Sequence, residues 1–210
     1  MPLKSLVLAS GNPGKTREIR ALLEPLGIHV VSQAELGISE AEEPHDTFLE
    51  NALAKARHAS RATGMPALAD DSGLCVAALS GLPGVHSAYF AGREGDRELR
   101  DARNNAKLLA SLSSKSDRRA HYTCVMVLTR RADDPEPMLA EGRWAGTIGT
   151  EPRGDNGFGY DPLFNVTDRL HGTGNGAPCT AAELPPEEKN RLSHRGQALA
   201  RLIERIRAEP

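Results

Sequence analysis

The chain has 210 residues, with 26 Lys and Arg against 28 Asp and Glu and a formal net charge of −2. Hydrophobic residues at 39% and charged residues at 26% allow a buried core and argue against a disordered tail, and the lack of a basic excess argues against a duplex nucleic-acid binder. Aromatics at 4% leave the core to aliphatic and alanine side chains, and the early apolar run Leu6 to Ala9 is too short for a secretory leader or a membrane span.

Ser5 to Ala9 reads as a short buried strand. Asn12 reads as a helix N-cap with Pro13 at the first helical position. Ile19, Leu22, Leu23 and Leu26 follow at helical spacing until Gly27 ends the helix, and Ile28 to Val31 resumes as strand. This strand–helix–strand opening predicts an α/β fold. Residues 35–46 form an acidic loop. Thr47 and Glu50 make a capping box for a helix running to Thr63, closed by Gly64. Ala67 to Ala69 reads as a short strand ending in a turn at Asp70-Asp71-Ser72-Gly73, with Leu74 to Leu79 after it. Residues 96–112 read as helix. Tyr122 to Thr129 and Met138 to Ile148 read as two longer strands joined through Asp133-Asp134-Pro135. A glycine-rich loop spans 149–159, and a last helix begins at Ser193. A hairpin beside strand–helix units predicts a mixed sheet. Cys75, Cys124 and Cys179 lack metal-type spacing, which predicts reduced thiols in a cytoplasmic setting and no structural zinc.

Six segments carry candidate chemistry. Ser10-Gly11-Asn12-Pro13-Gly14-Lys15 lies between a strand and a helix, where backbone amides and a lysine suit a phosphate; an ordinary capped turn has the same sequence. It nearly matches a phosphate-binding P-loop, but the first glycine of that pattern is absent. Asp70-Asp71 at a strand end suits a magnesium or general-base site, or a polar turn, and alternation would turn the two carboxylates to opposite faces. The acidic loop (Glu40, Glu42, Glu43, Asp46) offers further oxygen ligands or a solvated surface. Thr47, Asn51, Lys55 and His58 share one polar helix stripe, with His58 read as a surface residue. Gly157-Phe158-Gly159-Tyr160-Asp161-Pro162 could stack a planar base or form a plain turn, and His194-Arg195 at a helix start opposes the helix dipole, which suits an electron-rich ligand.

Taken in order, Ser10-x-Asn12-x-x-Lys15, Glu50-Asn51 with Lys55, Ala69-Asp70-Asp71-Ser72-Gly73-Leu74, Gly157 to Pro162, Ala182-Glu183-Leu184 with Glu188-Lys189, and Ser193-His194-Arg195-Gly196 resemble the inosine/xanthosine triphosphate pyrophosphatase family from residue 5 to about 207. The resemblance implies a single ITPase-like α/β domain over 1–210, with a long mixed central sheet, flanking helices and two lobes around a nucleotide cleft, usually a homodimer. It implies hydrolysis of ITP, dITP and XTP to the monophosphate and pyrophosphate with Mg2+, which clears deaminated purines from the nucleotide pool. Ser10, Gly11, Asn12, Pro13, Gly14 and Lys15 would hold the triphosphate with Lys55 beside it. Glu42 and Asp71 would bind magnesium, with Asp71 also the proton acceptor. Ser72, Phe158, Gly159, Tyr160, Asp161, Lys189, His194 and Arg195 would contact the nucleotide.

Arg195, which has only donors, is expected to select a 6-oxo purine over a 6-amino one. The alternatives are a pyrophosphatase for modified pyrimidine nucleotides on a similar fold and a non-catalytic nucleotide sensor. Two features depart from the family pattern: Tyr89 stands where an arginine is usual, and the loop from Thr167 to Cys179 is longer than usual.

Overall fold

The computed structural model describes residues 3–167 and 179–208; the long loop singled out in the sequence falls mostly outside them. In chain order the elements are β1 (Ser5–Leu8), α1 (Pro13–Leu23), β2 (His29–Ser32), α2 (Phe48–Thr63), β3 (Ala67–Val76), α3 (Arg97–Ser111), β4 (Arg119–Thr129), β5 (Met138–Ile148), β6 (Phe164–Val166), α4 (Pro186–Leu192) and α5 (His194–Ala208), with short 3-10 turns at 24–26, 77–79, 84–89 and 161–163. The strands form a six-stranded sheet in the order β2-β1-β3-β4-β5-β6. β1 runs parallel to β2 and β3, and β5 pairs antiparallel with β6, so the sheet is mixed.

Local chemistry accounts for the helix limits. Asn12 sits in extended geometry and its side chain caps α1, whose first residue is Pro13; after a 3-10 turn the chain reverses at Gly27 with φ +78°. Thr47 Oγ1 accepts from the Glu50 amide and also meets Glu50 Oε2, and Gly64 at φ +69° closes α2. Asp96 caps α3 through the Leu99 amide. The helix before α5 was not legible in the sequence. α4 is short and highly charged, and its start rests on Pro186 at the first helical position.

The expected turn after Ala69 is absent. Asp70 to Gly73 is not a turn: β3 runs unbroken through ten residues, nearly all buried. The strand carries two interior carboxylates because each has cationic partners. Once they are compensated, the ladder continues through positions that turn chemistry would have claimed.

The chain divides into two compact units, one of Met1–Asp71, Cys124–Gly142 and Arg195–Pro210, the other of Ser72–Thr123 and Arg143–His194. The first has the aliphatic core that the composition predicts. Leu6, Leu8, Ile19, Leu23, Leu68, Met126 and Leu202 are fully buried in one cluster. Ala52, Ala56 and Ala59 of α2 lie with Val7, Ala67, Ala69 and Val127 in another, where small side chains let the helix approach the sheet closely. Burying each leucine contributes roughly 1.5–3 kcal/mol. The second unit departs from the prediction. Tyr122, Trp144, Tyr160 and Phe164 join its core, and the Tyr122 and Phe164 rings lie 4.7 Å apart. The few core aromatics are thus gathered in one unit. β5 alternates buried and exposed residues along most of its length, the period of a strand with one solvated face.

Candidate active site

In the first unit the site is built around β3. Its pleat sends Asp70 and Asp71 to opposite faces. Asp70 Oδ2 lies 2.9 Å from Lys15 Nζ and 3.4 Å from Arg195 Nη2, and Arg195 Nη1 donates to Glu18 Oε2 at 2.5 Å. Burial alone would raise the Asp70 carboxyl, but Lys15, Arg195 and Lys55 outweigh it and hold it well below the ordinary carboxylate range. Burial likewise works against the Arg195 charge, and Asp70 and Glu18 more than restore it.

Asp71 has different surroundings. Its Oδ1 lies 2.9 Å from Lys55 Nζ, and Asn51 Nδ2 donates to its Oδ2 at 3.4 Å. Burial raises the Asp71 carboxyl above its ordinary value, and Lys55 only partly opposes this. Lys55 also meets Glu43 Oε1 at 2.8 Å; burial would lower the ammonium, but Asp71, Glu43 and Asp70 together raise it. The middle of the polar α2 stripe is interior: Asn51 and Lys55 are buried, and only its outer members, Thr47 and His58, meet solvent. Asn51 also exchanges hydrogen bonds with the His45 backbone, and His58 Nε2 bonds the Ser39 carbonyl oxygen, so α2 ties down the acidic loop.

At the start of α1, Asn12 Oδ1 accepts from the Gly14 and Lys15 amides at 2.9 and 3.3 Å, and Ser10 Oγ accepts from the Asn12 amide. These amides already have partners within the turn. The Lys15 ammonium turns to Asp70, and Glu40 packs so close to Gly11 that a Cβ there would collide with its Oε1. Pro13 opens the helix and Ser72, partly exposed, follows Asp71 in β3. Glu42 is exposed, and the acidic-loop carboxylate beside Lys55 belongs to Glu43.

The second unit holds the glycine–aromatic loop. Asp161 is buried; its Oδ2 accepts from the Phe158 amide at 2.8 Å and lies 2.9 Å from Lys189 Nζ, and the Tyr122 hydroxyl donates to its Oδ1. Gly159 is held by α3, donating to Asp101 and accepting from Asn105. Phe158 is partly exposed, with the Arg97 guanidinium and the Lys189 ammonium 4.6 and 4.7 Å from its ring centre. Tyr160 is a core residue whose hydroxyl donates to the Ser87 carbonyl oxygen, so of the two aromatics Phe158 alone offers a partly exposed ring. His194 is buried and stacks on Tyr122, 4.6 Å between centres and 9° between planes. Tyr89, at the position where arginine was expected, lies under the Arg93 guanidinium at 4.2 Å.

The sequence singled out most of these residues. It passed over Glu18, Asp101 and Asn105 as site members, offered Glu43 only as one of four acidic-loop carboxylates, and put Asp70 aside in favour of Asp71. Glu18, Asp101 and Asn105 act across 54 to 177 residues of chain, beyond any local signal.

A family model described as the Ham1 family matches residues 6–205. A Burkholderia pseudomallei protein named dITP/XTP pyrophosphatase is 60% identical over 201 residues, 96% of this chain and 92% of its own length. A Bordetella pertussis protein of the same name is 57% identical over 206 residues, 98% of this chain and 92% of its own. Among solved structures, a HAM1 protein from Coxiella burnetii is 45% identical with a TM-score of 0.86, covering 99% of this chain and all of that one. The Ham1 protein of Staphylococcus aureus is 35% identical with a TM-score of 0.81 and the same coverage. With nearly the whole chain matched by sequence and by fold, this protein belongs to the Ham1 family.

Proposed function

We propose that this protein is a nucleoside triphosphate pyrophosphatase for non-standard purine nucleotides, hydrolysing dITP, XTP and ITP to the monophosphate and pyrophosphate. Its relatives carry the name dITP/XTP pyrophosphatase over nearly their full lengths. The observation that carries the chemistry is the adjacent carboxylate pair of β3, one held ionised by Lys15 and Arg195, the other raised by burial. Pairs whose environments drive their acidities apart mark acid–base sites.

The donor chemistry fits a magnesium ion. Lys55 draws Asp71 and Glu43 to 2.9 and 2.8 Å of one ammonium, so two carboxylates converge where a cation is already held. Among the described residues there is no cluster of three or more His, Cys, Asp and Glu placed to hold a metal. That suits magnesium, which is bound through one or two carboxylates together with substrate phosphates and water. Asp71 and Glu43 would hold the ion, with the neighbouring Glu42 in reserve; when bound, it would neutralise charge on the phosphate oxygens.

The chain's own residues do the rest. Lys15 and Lys55 face the polyphosphate as cations and favour the charge that gathers on its oxygens during transfer. Asp71 accepts a proton from the attacking water, a task open to a carboxylate held in place by Lys55 and Asn51. Water adds to the α-phosphorus, the bond to the bridging oxygen breaks, and that oxygen leaves with pyrophosphate. Asp70 stays ionised and fixes the Lys15 and Arg195 side chains. Phe158 offers its ring to the purine, and Asp161 and Lys189 brace that loop. Gly159 and Tyr160 shape it, while His194 and Ser72 complete the nucleotide contacts. The same assignment takes the protein as a homodimer in the cytoplasm, and sedimentation of the purified chain tests the dimer. The direct test incubates the protein with ITP and magnesium. IMP and pyrophosphate are the expected first products; IDP and orthophosphate would overturn the assignment.

A further inference from the structure

The α3 residues Arg97, Asp101 and Asn105 recur every four positions and lie on one face of the helix. All three engage the glycine–aromatic loop. Asp101 Oδ2 accepts from the Gly159 amide at 3.0 Å, and Asn105 Nδ2 donates to the Gly159 carbonyl oxygen at 2.9 Å. Arg97 lies over the Phe158 ring at 4.6 Å, with its Nε 3.7 Å from the same Asp101 oxygen. The Phe158 amide is separately taken by Asp161. The two peptide N–H groups that bracket the Phe158 side chain are therefore each held by a carboxylate, one from the loop and one from α3. Gly159 itself adopts φ +64°, a conformation that a free chain has little reason to keep.

Asn105 has a further peculiarity. Its Oδ1 is buried and has no hydrogen-bond partner among the described residues. A buried acceptor left unmatched is a local cost. The Asn105 amide nonetheless stays directed at Gly159, so its placement serves the loop more than its own hydrogen bonding.

We propose that Arg97, Asp101 and Asn105 are positioning residues that set Phe158 for purine recognition, with α3 acting as the template of the glycine–aromatic loop. The proposal rests on the pyrophosphatase function given above. None of the three needs to touch the nucleotide; they fix the loop before binding, so that little ordering cost falls on the substrate. Their loss therefore weakens purine binding more than it slows the chemical step.

The test uses the full-length protein and three variants, Asp101→Ala, Asp101→Asn and Asn105→Ala, with ITP and ATP as substrates. Loss of a charged acceptor predicts that Asp101→Ala raises KM for ITP about tenfold and KM for ATP in parallel, while kcat changes by less than about threefold. Amide hydrogen exchange at Gly159 speeds up in the same variant. Asp101→Asn keeps an acceptor oxygen and stays close to wild type in both measurements. If Asp101→Ala fails to fold, Asn105→Ala is read against the same expectations. An unchanged KM and Gly159 exchange rate, or Asp101→Asn as impaired as Asp101→Ala, would overturn the proposal. A wild-type protein that does not release pyrophosphate from ITP overturns the assigned function instead. Normal wild-type turnover with an unaltered KM in Asp101→Ala overturns only the role of α3.

Discussion

Asp70 and Asp71 are consecutive in β3, yet Asp70 meets Lys15 Nζ at 2.9 Å and Asp71 meets Lys55 Nζ at 2.9 Å on opposite faces of the strand. The strand period makes this division unavoidable once β3 runs unbroken through both residues. One carboxylate can then serve as a fixed counter-charge while its neighbour, less fully compensated, remains available to take a proton.

The first prediction concerns Asp71. Asp71→Asn keeps the side-chain shape and leaves Lys55 its Glu43 partner, so the fold persists. An amide is a poor base and a weak ligand for a hard cation. Turnover of ITP at saturating magnesium should fall by far more than the tenfold that corresponds to ~1.4 kcal/mol. A variant retaining a tenth of the wild-type kcat would remove Asp71 from the reaction.

Metal dependence separates two neighbouring carboxylates. Chelation should abolish turnover and added magnesium restore it. Because Glu43 meets Lys55 beside Asp71, Glu43→Gln should raise the magnesium concentration for half-maximal rate more than Glu42→Gln. The reverse order would return the ligand role to Glu42, as the sequence suggested.

Arg195 is engaged by Asp70 and Glu18 within the first unit, which predicts a bracing role. Removing one member of a buried charge cluster typically costs ~3–5 kcal/mol. Arg195→Ala should therefore lower the melting temperature and depress ITP and ATP hydrolysis together. A selective loss of ITP activity with unchanged stability would instead support the selector role expected from its donors alone.

Acid stability follows from Asp70. Its folded carboxyl lies below the ordinary 3.8, so it contributes stability above that value and loses it as pH falls toward the folded one. Thermal unfolding followed from about pH 5 down to about pH 1.5 should show, below about pH 4, a steeper loss in wild type than in Asp70→Asn. Parallel curves would mean that other carboxylates govern the acid limb.

Much of this protein was legible in the sequence because its signals are local. Asn12 with Pro13, Thr47 with Glu50, and the glycines after α1 and α2 set helix limits through contacts within a turn. The bounds of β5 were read off residue by residue, and the ordered motifs were enough to suggest the family. What the tertiary structure decided depends on distant partners. β3 passes through Asp70 and Asp71 because Lys15, Lys55 and Arg195 compensate them, and Arg195 comes from 125 residues away. The choice of Glu43 over Glu42 beside Lys55, the burial of Asn51 and Lys55, and the grip of Asp101 and Asn105 on Gly159 are likewise non-local. A short-range pattern can show that a carboxylate or an amide is present, but whether it faces water, a cation or a backbone group is determined only when the strands and helices pack.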